Sequence, residues 1–249
     1  MVGGYFFWLN WIWIGVAIIT FVMLVAFNIK APYGRHTRAG WGKLIPNHLG
    51  WFWMELPAFL ICPLLAIFGP AEKSLATYLL AGMWMFHYFN RTFIFPFRLR
   101  TKGKSMPISI VLSAIFFNVI NGLLNGFYLG YVGSSEELSI AFFGGAFIFF
   151  TGFSINYIAD QKLIALREGG DGYHIPRGWL FRWISCPNHF GEIIEWIGFA
   201  VAAGSLPAVT FAIWTFSNLA PRAFNHHEWY KSHFPDYPTK RKALIPFII

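Results

Sequence analysis

From Tyr5 to Asn28 the chain carries no charged residue. A bilayer span needs about 20 mostly apolar residues in a helix. Further apolar runs cover roughly 50–69, 77–97, 107–131, 139–159, 190–204 and 206–224. The last two are split by Ser205-Leu206-Pro207; together they exceed 30 residues, too long for one crossing but right for a tight helical hairpin. In hydrocarbon every backbone polar group must be satisfied within the segment, so runs of this length become helices. The sequence therefore predicts an all-α, polytopic membrane protein of seven transmembrane helices, in one domain spanning 1–249. The first run has neither a basic leader nor a short apolar stretch ending in small residues, so it is read as a span and not as a cleavable signal. Composition agrees: 56% of residues are hydrophobic and 12% charged, whereas soluble domains carry about 25% charged residues.

Charge sets the expected orientation. Lys30, Arg35, Arg38 and Lys43 follow the first run, and Arg91, Arg98, Arg100, Lys102 and Lys104 lie at or beyond the end of the third. Lys162, Arg167, Arg177 and Arg182 follow the fifth, and Arg222, Lys231, Lys240, Arg241 and Lys242 close the chain. Only Lys73 falls elsewhere, so 18 of the 19 basic residues occupy alternate connections. The positive-inside rule makes those connections cytosolic, with the N-terminus outside or lumenal and the C-terminus cytosolic. The net charge of +8 is then a topology signal, and no nucleic-acid partner is expected. Cys62 and Cys186 form no pairing pattern, and no metal is expected.

Polar groups inside apolar spans are expensive and face the bundle interior. In WFWMELPAFL, residues 51–60, Glu55 sits among aromatic residues and is followed by Pro57. Asn156, Asp160 and Arg167 share one helix face, as do Asn188, Glu192 and Glu195, with Trp196 beside them. Arg222, His226 and Tyr230 repeat at four-residue steps, and Asn118, Asn121 and Asn125 mark the fourth run. By the expected topology Glu55, Tyr88, Asn156, Asp160, Glu192 and His226 all fall in the cytosolic half. That arrangement suits a pocket open to a polar cytosolic ligand, with apolar space deeper in.

Nine stretches in order carry a family resemblance: YGRHT (33–37), ELP (55–57), HYFNRTF (87–93), NGLLNGFYLGY (121–131), NYIAD (156–160), YHIPRGWLF (173–181), NHFGEIIEWIGFA (188–200), RAFNHHEWY (222–230) and DYPTKRKALIPFII (236–249). Through them the chain resembles the steroid 5α-reductase, or 3-oxo-5α-steroid 4-dehydrogenase, family along nearly its whole length. The resemblance implies a membrane enzyme in which NADPH gives a hydride to the β-carbon of an enone. It also implies a cofactor bound within the helical bundle, with the catalytic and cofactor region at about 100–249. No dinucleotide fingerprint follows a strand here, and GGDGYH at 169–174 does not fit one.

The resemblance assigns Glu55 and Tyr88 to the substrate ketone. A phenol can hydrogen-bond the developing enolate and pass a proton. Glu55 acts either as a second, protonated donor or as a carboxylate orienting Tyr88. Asn156, Arg167 and Tyr173 resemble the pyrophosphate grip, and Asp160 accepts from ribose hydroxyls or holds Arg167. Asn188, Glu192, Trp196 and Tyr230 resemble the nicotinamide end. Asn121, Arg222 and His226 are further cofactor residues. Arg35, His36, Arg38 and Lys104 are candidates for the 2′-phosphate, with topology signal as their plain alternative. Trp53, Met54, Phe89 and Ser113 are read as substrate-lining.

Plainer readings stand beside these: Glu55 hydrogen-bonded to a neighbouring helix, Tyr88 as a packing residue, Arg91 and Thr92 as headgroup anchors, and Glu195 as a supporting partner. Met54 replaces a glutamine common in animal members, Ser113 an arginine, Asn90 a histidine, and Asn225 a histidine of RAFHHH. The expected substrate is an apolar steroid arriving from the lipid, with no obligate protein partner, in the endoplasmic reticulum or a bacterial inner membrane. Polyprenol or trans-2-enoyl-CoA reduction is the alternative activity. A methyltransferase would not need the Glu55 and Tyr88 pair, and a transporter would need charge in the outer helix halves.

Overall fold

A computed structural model describes residues 2–32, 34–38, 40–99, 103–133, 138–167 and 172–249. Tyr33, Arg100, Lys102 and residues 169–171, all cited above, lie outside the described residues, as does the side chain of Arg35.

The chain is built from helices: α1 (Val2–Ala26), α2 (Asn47–Phe68), α3 (Leu75–Phe89), α4 (Phe95–Arg98), α5 (Ile108–Phe127), α6 (Ile140–Ala165), α7 (Pro187–Ala203) and α8 (Leu206–His233). Two three-residue strands, β1 (Leu44–Pro46) and β2 (Ser105–Pro107), pair antiparallel just before α2 and α5. Among the described residues, four helical segments are long and apolar enough to cross a membrane: Gly4–Ala26, Asn47–Phe68, Ile108–Val132 and Ile140–Ala165. Only Gly204 and Ser205 separate α7 from α8; Gly204 takes a left-handed conformation and Pro207 stands near the start of α8.

Two helices run well past their apolar runs. The fifth and seventh runs end near 159 and 224, yet α6 continues to Ala165 and α8 to His233. The added turns carry both buried polar residues, such as Asp160 and Tyr230, and exposed ones, such as Lys162, Glu228 and Lys231, so hydropathy falls while the helix persists. A π-helical turn, Asn90–Ile94, links α3 to α4. It inserts an extra residue into the helical ladder, a feature frequent at functional sites, and Asn90, Arg91 and Thr92 are all buried there.

The core is an aromatic cluster. Trp84 lies 5.0 Å from Phe211, 5.2 Å from Trp196 and 5.6 Å from Phe199 between ring centroids. Its indole Nε1 donates to Ala58 O at 2.8 Å, which ties α3 to α2. At α6 and α7 the backbones touch through Gly145, Gly152, Gly191 and Gly198.

The C-terminal tail closes one end of the bundle. Ser185 N donates to Lys242 O at 2.8 Å, Lys242 N to Trp183 O at 2.8 Å, and Cys186 N to Ala243 O at 3.1 Å. Leu244 is fully buried there against Cys186, Ala220 and Ala223. Leu244→Ala is expected to cost about 3 kcal/mol. In detergent that would appear as a melting point lower by roughly 6–12 °C; an unchanged melting point would show that the tail is not part of the fold.

Candidate active site

At the end of the bundle where α2, α5 and α7 begin and α1, α3, α6 and α8 finish lies a cavity of about 620 Å³. Its walls differ in chemistry.

The first wall combines α2, α3 and α5. Glu55 stands in the third turn of α2. Asn118 of α5 is buried and donates from Nδ2 to Glu55 Oε2 at 3.2 Å and to Met54 O at 2.6 Å. Pro57 lacks an N–H, so α2 loses a backbone bond in this turn, and the α5 amide adds a donor beside it. Tyr88 lines the same cavity and is 3% exposed, its ring 5.2 Å from Trp84 and 5.9 Å from Trp196. Met54 and Ser113 complete this side.

Arg91 is buried and lines the cavity. Its guanidinium lies 4.9 Å from the Trp51 ring and 4.3 Å from the Phe95 ring, with Nη1 3.5 Å from Asp160 Oδ2. A cation over two aromatic faces is held by their quadrupoles as well as by the carboxylate. The row His87, Arg91, Phe95 repeats every four residues, so helical periodicity contained this signal.

The second wall is polar and comes from α6, α7 and α8. Asn156 Nδ2 donates to Asn188 O at 3.0 Å and Glu192 Oε2 at 3.2 Å, and Asn188 Nδ2 donates to Asp160 Oδ1 at 3.1 Å. Asn156 Oδ1 is buried without a hydrogen-bond partner. Trp196 and Tyr230, both buried, also line the cavity. Arg222 Nη2 faces Asn218 Oδ1 at 3.4 Å. Near the rim the Tyr173 ring has Lys104 Nζ at 5.3 Å and the Arg167 guanidinium at 5.9 Å. His226 is flanked by His36 at 5.8 Å and His189 at 5.7 Å, centroid to centroid.

Four residues named from the sequence are not brought to the cavity. Trp53 is 53% exposed and Phe89 50% exposed. Trp53 precedes Glu55 by two positions, which turns it to the opposite helix face. Phe89 is one step past Tyr88 and packs on Phe59 and Phe93. Asn121 is buried, but its Oδ1 accepts from Trp13 Nε1 at 3.2 Å and its Nδ2 donates to Phe117 O at 2.7 Å. Arg38 is exposed, its guanidinium 5.7 Å from the Trp41 ring.

The sequence reads Glu195 as a supporting partner without saying of what: His87 Nδ1 and Glu195 Oε1 meet at 2.8 Å, and His87 received no role. Adjacency to Tyr88 in the chain was the available hint for His87. Its partner on α7 is 108 positions away, beyond the reach of helical periodicity.

Comparison with known proteins adds an independent line. The model of the family described as 3-oxo-5-alpha-steroid 4-dehydrogenase matches residues 104–249. Over 242 residues the chain is 41% identical to steroid 5-alpha-reductase DET2 of Gossypium hirsutum, covering 94% of this chain and 93% of that protein. It is 40% identical over 248 residues to 3-oxo-5-alpha-steroid 4-dehydrogenase 2 of Homo sapiens, covering 94% and 95%. It is 39% identical over 243 residues to 3-oxo-5-alpha-steroid 4-dehydrogenase 1 of Bos taurus, covering 94% and 93%.

Proposed function

Because the chain belongs to the 3-oxo-5-alpha-steroid 4-dehydrogenase family, we propose that it reduces the C4–C5 double bond of 3-oxo-Δ4-steroids to 5α-3-oxosteroids, using NADPH. The observation that carries this reading is a single cavity with a carboxyl and a phenol, Glu55 and Tyr88, on one side and the Asn156, Asn188 and Glu192 cluster on another.

The donor set suits a dinucleotide. Lys104, Arg167 and Arg222 bring positive charge to the cavity, and arginine's forked donors match phosphate. The buried, unpartnered Asn156 Oδ1 is an acceptor in want of a donor, as a ribose hydroxyl or a carboxamide would supply. In this reading Arg167 and Tyr173 hold the pyrophosphate, with His36 and Lys104 toward the 2′-phosphate; Asn156, whose Nδ2 is already engaged, meets a ribose hydroxyl or the carboxamide through Oδ1 rather than the pyrophosphate. Asp160, Arg222 and His226 line the remaining path, and Asn188, Glu192, Trp196 and Tyr230 hold the nicotinamide. Bound there, NADPH supplies a hydride to the β-carbon of the enone.

The chain's own groups then handle the ketone. Tyr88 donates to the ketone oxygen, where negative charge develops, and stabilises it more in the transition state than in the ground state. Asn118 holds one oxygen of Glu55, which leaves the other for the ketone or for the Tyr88 hydroxyl. The Tyr88 ring packs on Trp84 and Trp196, and such low-dielectric surroundings strengthen a hydrogen bond to the ketone.

The same reading takes α3, α7 and α8 as spans beside the four apolar ones, in one seven-helix domain over residues 1–249. It places the N-terminus outside or in the lumen and the cavity mouth and C-terminus in the cytosol. The apolar substrate then arrives from the lipid and the cofactor from the aqueous side. The membrane is the endoplasmic reticulum in a eukaryote or the inner membrane in a bacterium.

Two measurements test this. Purified protein with NADPH is offered progesterone, a polyprenal and a trans-2-enoyl-CoA; reduction of progesterone to the 5α product supports the proposal. Reduction of only the polyprenal or the thioester transfers the site to the alternative substrate class. Separately, Arg167→Ala is expected to raise the Kd for NADPH roughly tenfold or more, the loss of one charged hydrogen bond. Fluorescence titration reads this directly, and an unchanged Kd removes Arg167 from the cofactor site.

A further inference from the structure

His87 and Glu195 have no task in the reaction as derived, yet they are among the most buried polar residues of the bundle, at 3% and 0% exposure. Nδ1 and Oε1 meet at 2.8 Å, while the second oxygen of Glu195, Oε2, is buried without a hydrogen-bond partner. The His87 ring lies 4.7 Å from Trp196 and 4.9 Å from Tyr88. The charged groups facing it are Glu192 and Glu195 of α7, Arg91 of its own helix segment and Glu55 of α2.

Such a pair is a poor stabiliser. Taking two ionisable groups out of water offsets their attraction, and an apolar pair of similar volume often serves the fold as well or better. A half-partnered carboxyl weakens the case further. What the pair does supply is direction. It is a polar bond between α3 and α7, one residue before Tyr88 on one helix and one residue before Trp196 on the other. The first helix carries the ketone-binding phenol, and the second carries Asn188, Glu192 and Trp196.

We propose that His87 and Glu195 form a positioning pair that holds the Tyr88 wall in register with the α7 wall. The inference rests on the function proposed above. Its physical basis is the steep dependence of rate on alignment: a displacement of about 1 Å at a reacting centre can cost about 100-fold.

The test uses the whole protein in detergent. The double variant His87→Leu, Glu195→Val removes the polar bond and nearly keeps the volume. It is expected to melt at or above the wild-type temperature and to bind NADPH within about threefold of it, while kcat falls about 100-fold. The isotope effect with NADPH deuterated at the transferred hydrogen should rise. Glu195→Gln keeps an acceptor for Nδ1 and should retain most of the rate. A double variant that melts lower but keeps kcat per folded molecule would make the pair structural and overturn the inference. So would a Glu195→Gln variant as inactive as the double variant. Tyr88→Phe separates the two levels. If it is inactive while the double variant is fully active, only the positioning role falls; if it is active, the reading beneath both falls.

Discussion

Tyr88→Phe is expected to lower kcat for a 3-oxo-Δ4-steroid by roughly 10²–10³, with melting temperature and NADPH affinity little changed. The substitution removes one hydroxyl and keeps a ring that packs on Trp84, His87 and Trp196, so the fold has little reason to respond. Loss of one preorganised donor to a developing oxyanion costs about 2.7–4 kcal/mol, which sets the size of the effect. Glu55→Gln should also lose product. Its remaining activity reports the role: an amide still donates a hydrogen bond, so partial activity fits a protonated Glu55 acting as donor. Activity as low as that of Tyr88→Phe fits a carboxylate that orients the phenol. Near wild-type turnover in either variant would end that residue's part in proton donation. Steady-state kinetics on purified protein, with binding measured separately, decides among these results.

The second large effect concerns architecture. Gly152→Val is expected to yield no stable, monodisperse protein. A Cβ at Gly152 would stand 2.2 Å from Glu195 N and 2.6 Å from both Glu195 Cα and Gly191 O, all of them backbone atoms. No rotamer change relieves such a contact; α6 and α7 would have to separate. Separation would also part Asn156 from Asn188 and Glu192, since a Cβ at Gly191 already falls 2.4 Å from Asn156 N. The glycines thus set the distance at which the polar wall of the cavity assembles. Gly82→Ala is the control. Beyond its own helix backbone no atom lies within 4 Å of that Cβ, and alanine favours a helix by about 1 kcal/mol over glycine, so the variant should be as stable as wild type or slightly more so. Detergent-stable yield and thermal melts measure both. A well-behaved Gly152→Val protein would contradict the packing described for α6 and α7.

The sequence was most informative where one physical rule dominates. Uncharged runs marked the helices because hydrocarbon admits no unsatisfied backbone, and Tyr5–Asn28 became α1. Polar residues placed early in the second and sixth runs and late in the third, fifth and seventh converge on one cavity, at one end of the bundle. Legibility failed where a side chain's direction depends on a neighbouring helix. Asn121 shares a face pattern with Asn118, yet it turns to Trp13 of α1 while Asn118 reaches Glu55. Arg91 looked like a headgroup anchor because it nears the end of an apolar run. The π-helical turn at Asn90–Ile94 accompanies its burial, and no composition rule anticipates such a turn. The short β1 and β2 ribbon, three residues a strand, is too brief for any alternation to mark it.

The destination of a single hydrogen tests the central claim most directly. Progesterone is reduced by the purified protein with NADPH deuterated at the transferred position, and the label is located in the product by NMR. The account predicts deuterium at C5, on the α face of a saturated 3-ketone, with none at C3. Deuterium at C3 of a hydroxysteroid, or no reduction of any conjugated enone by protein that binds NADPH, would contradict it.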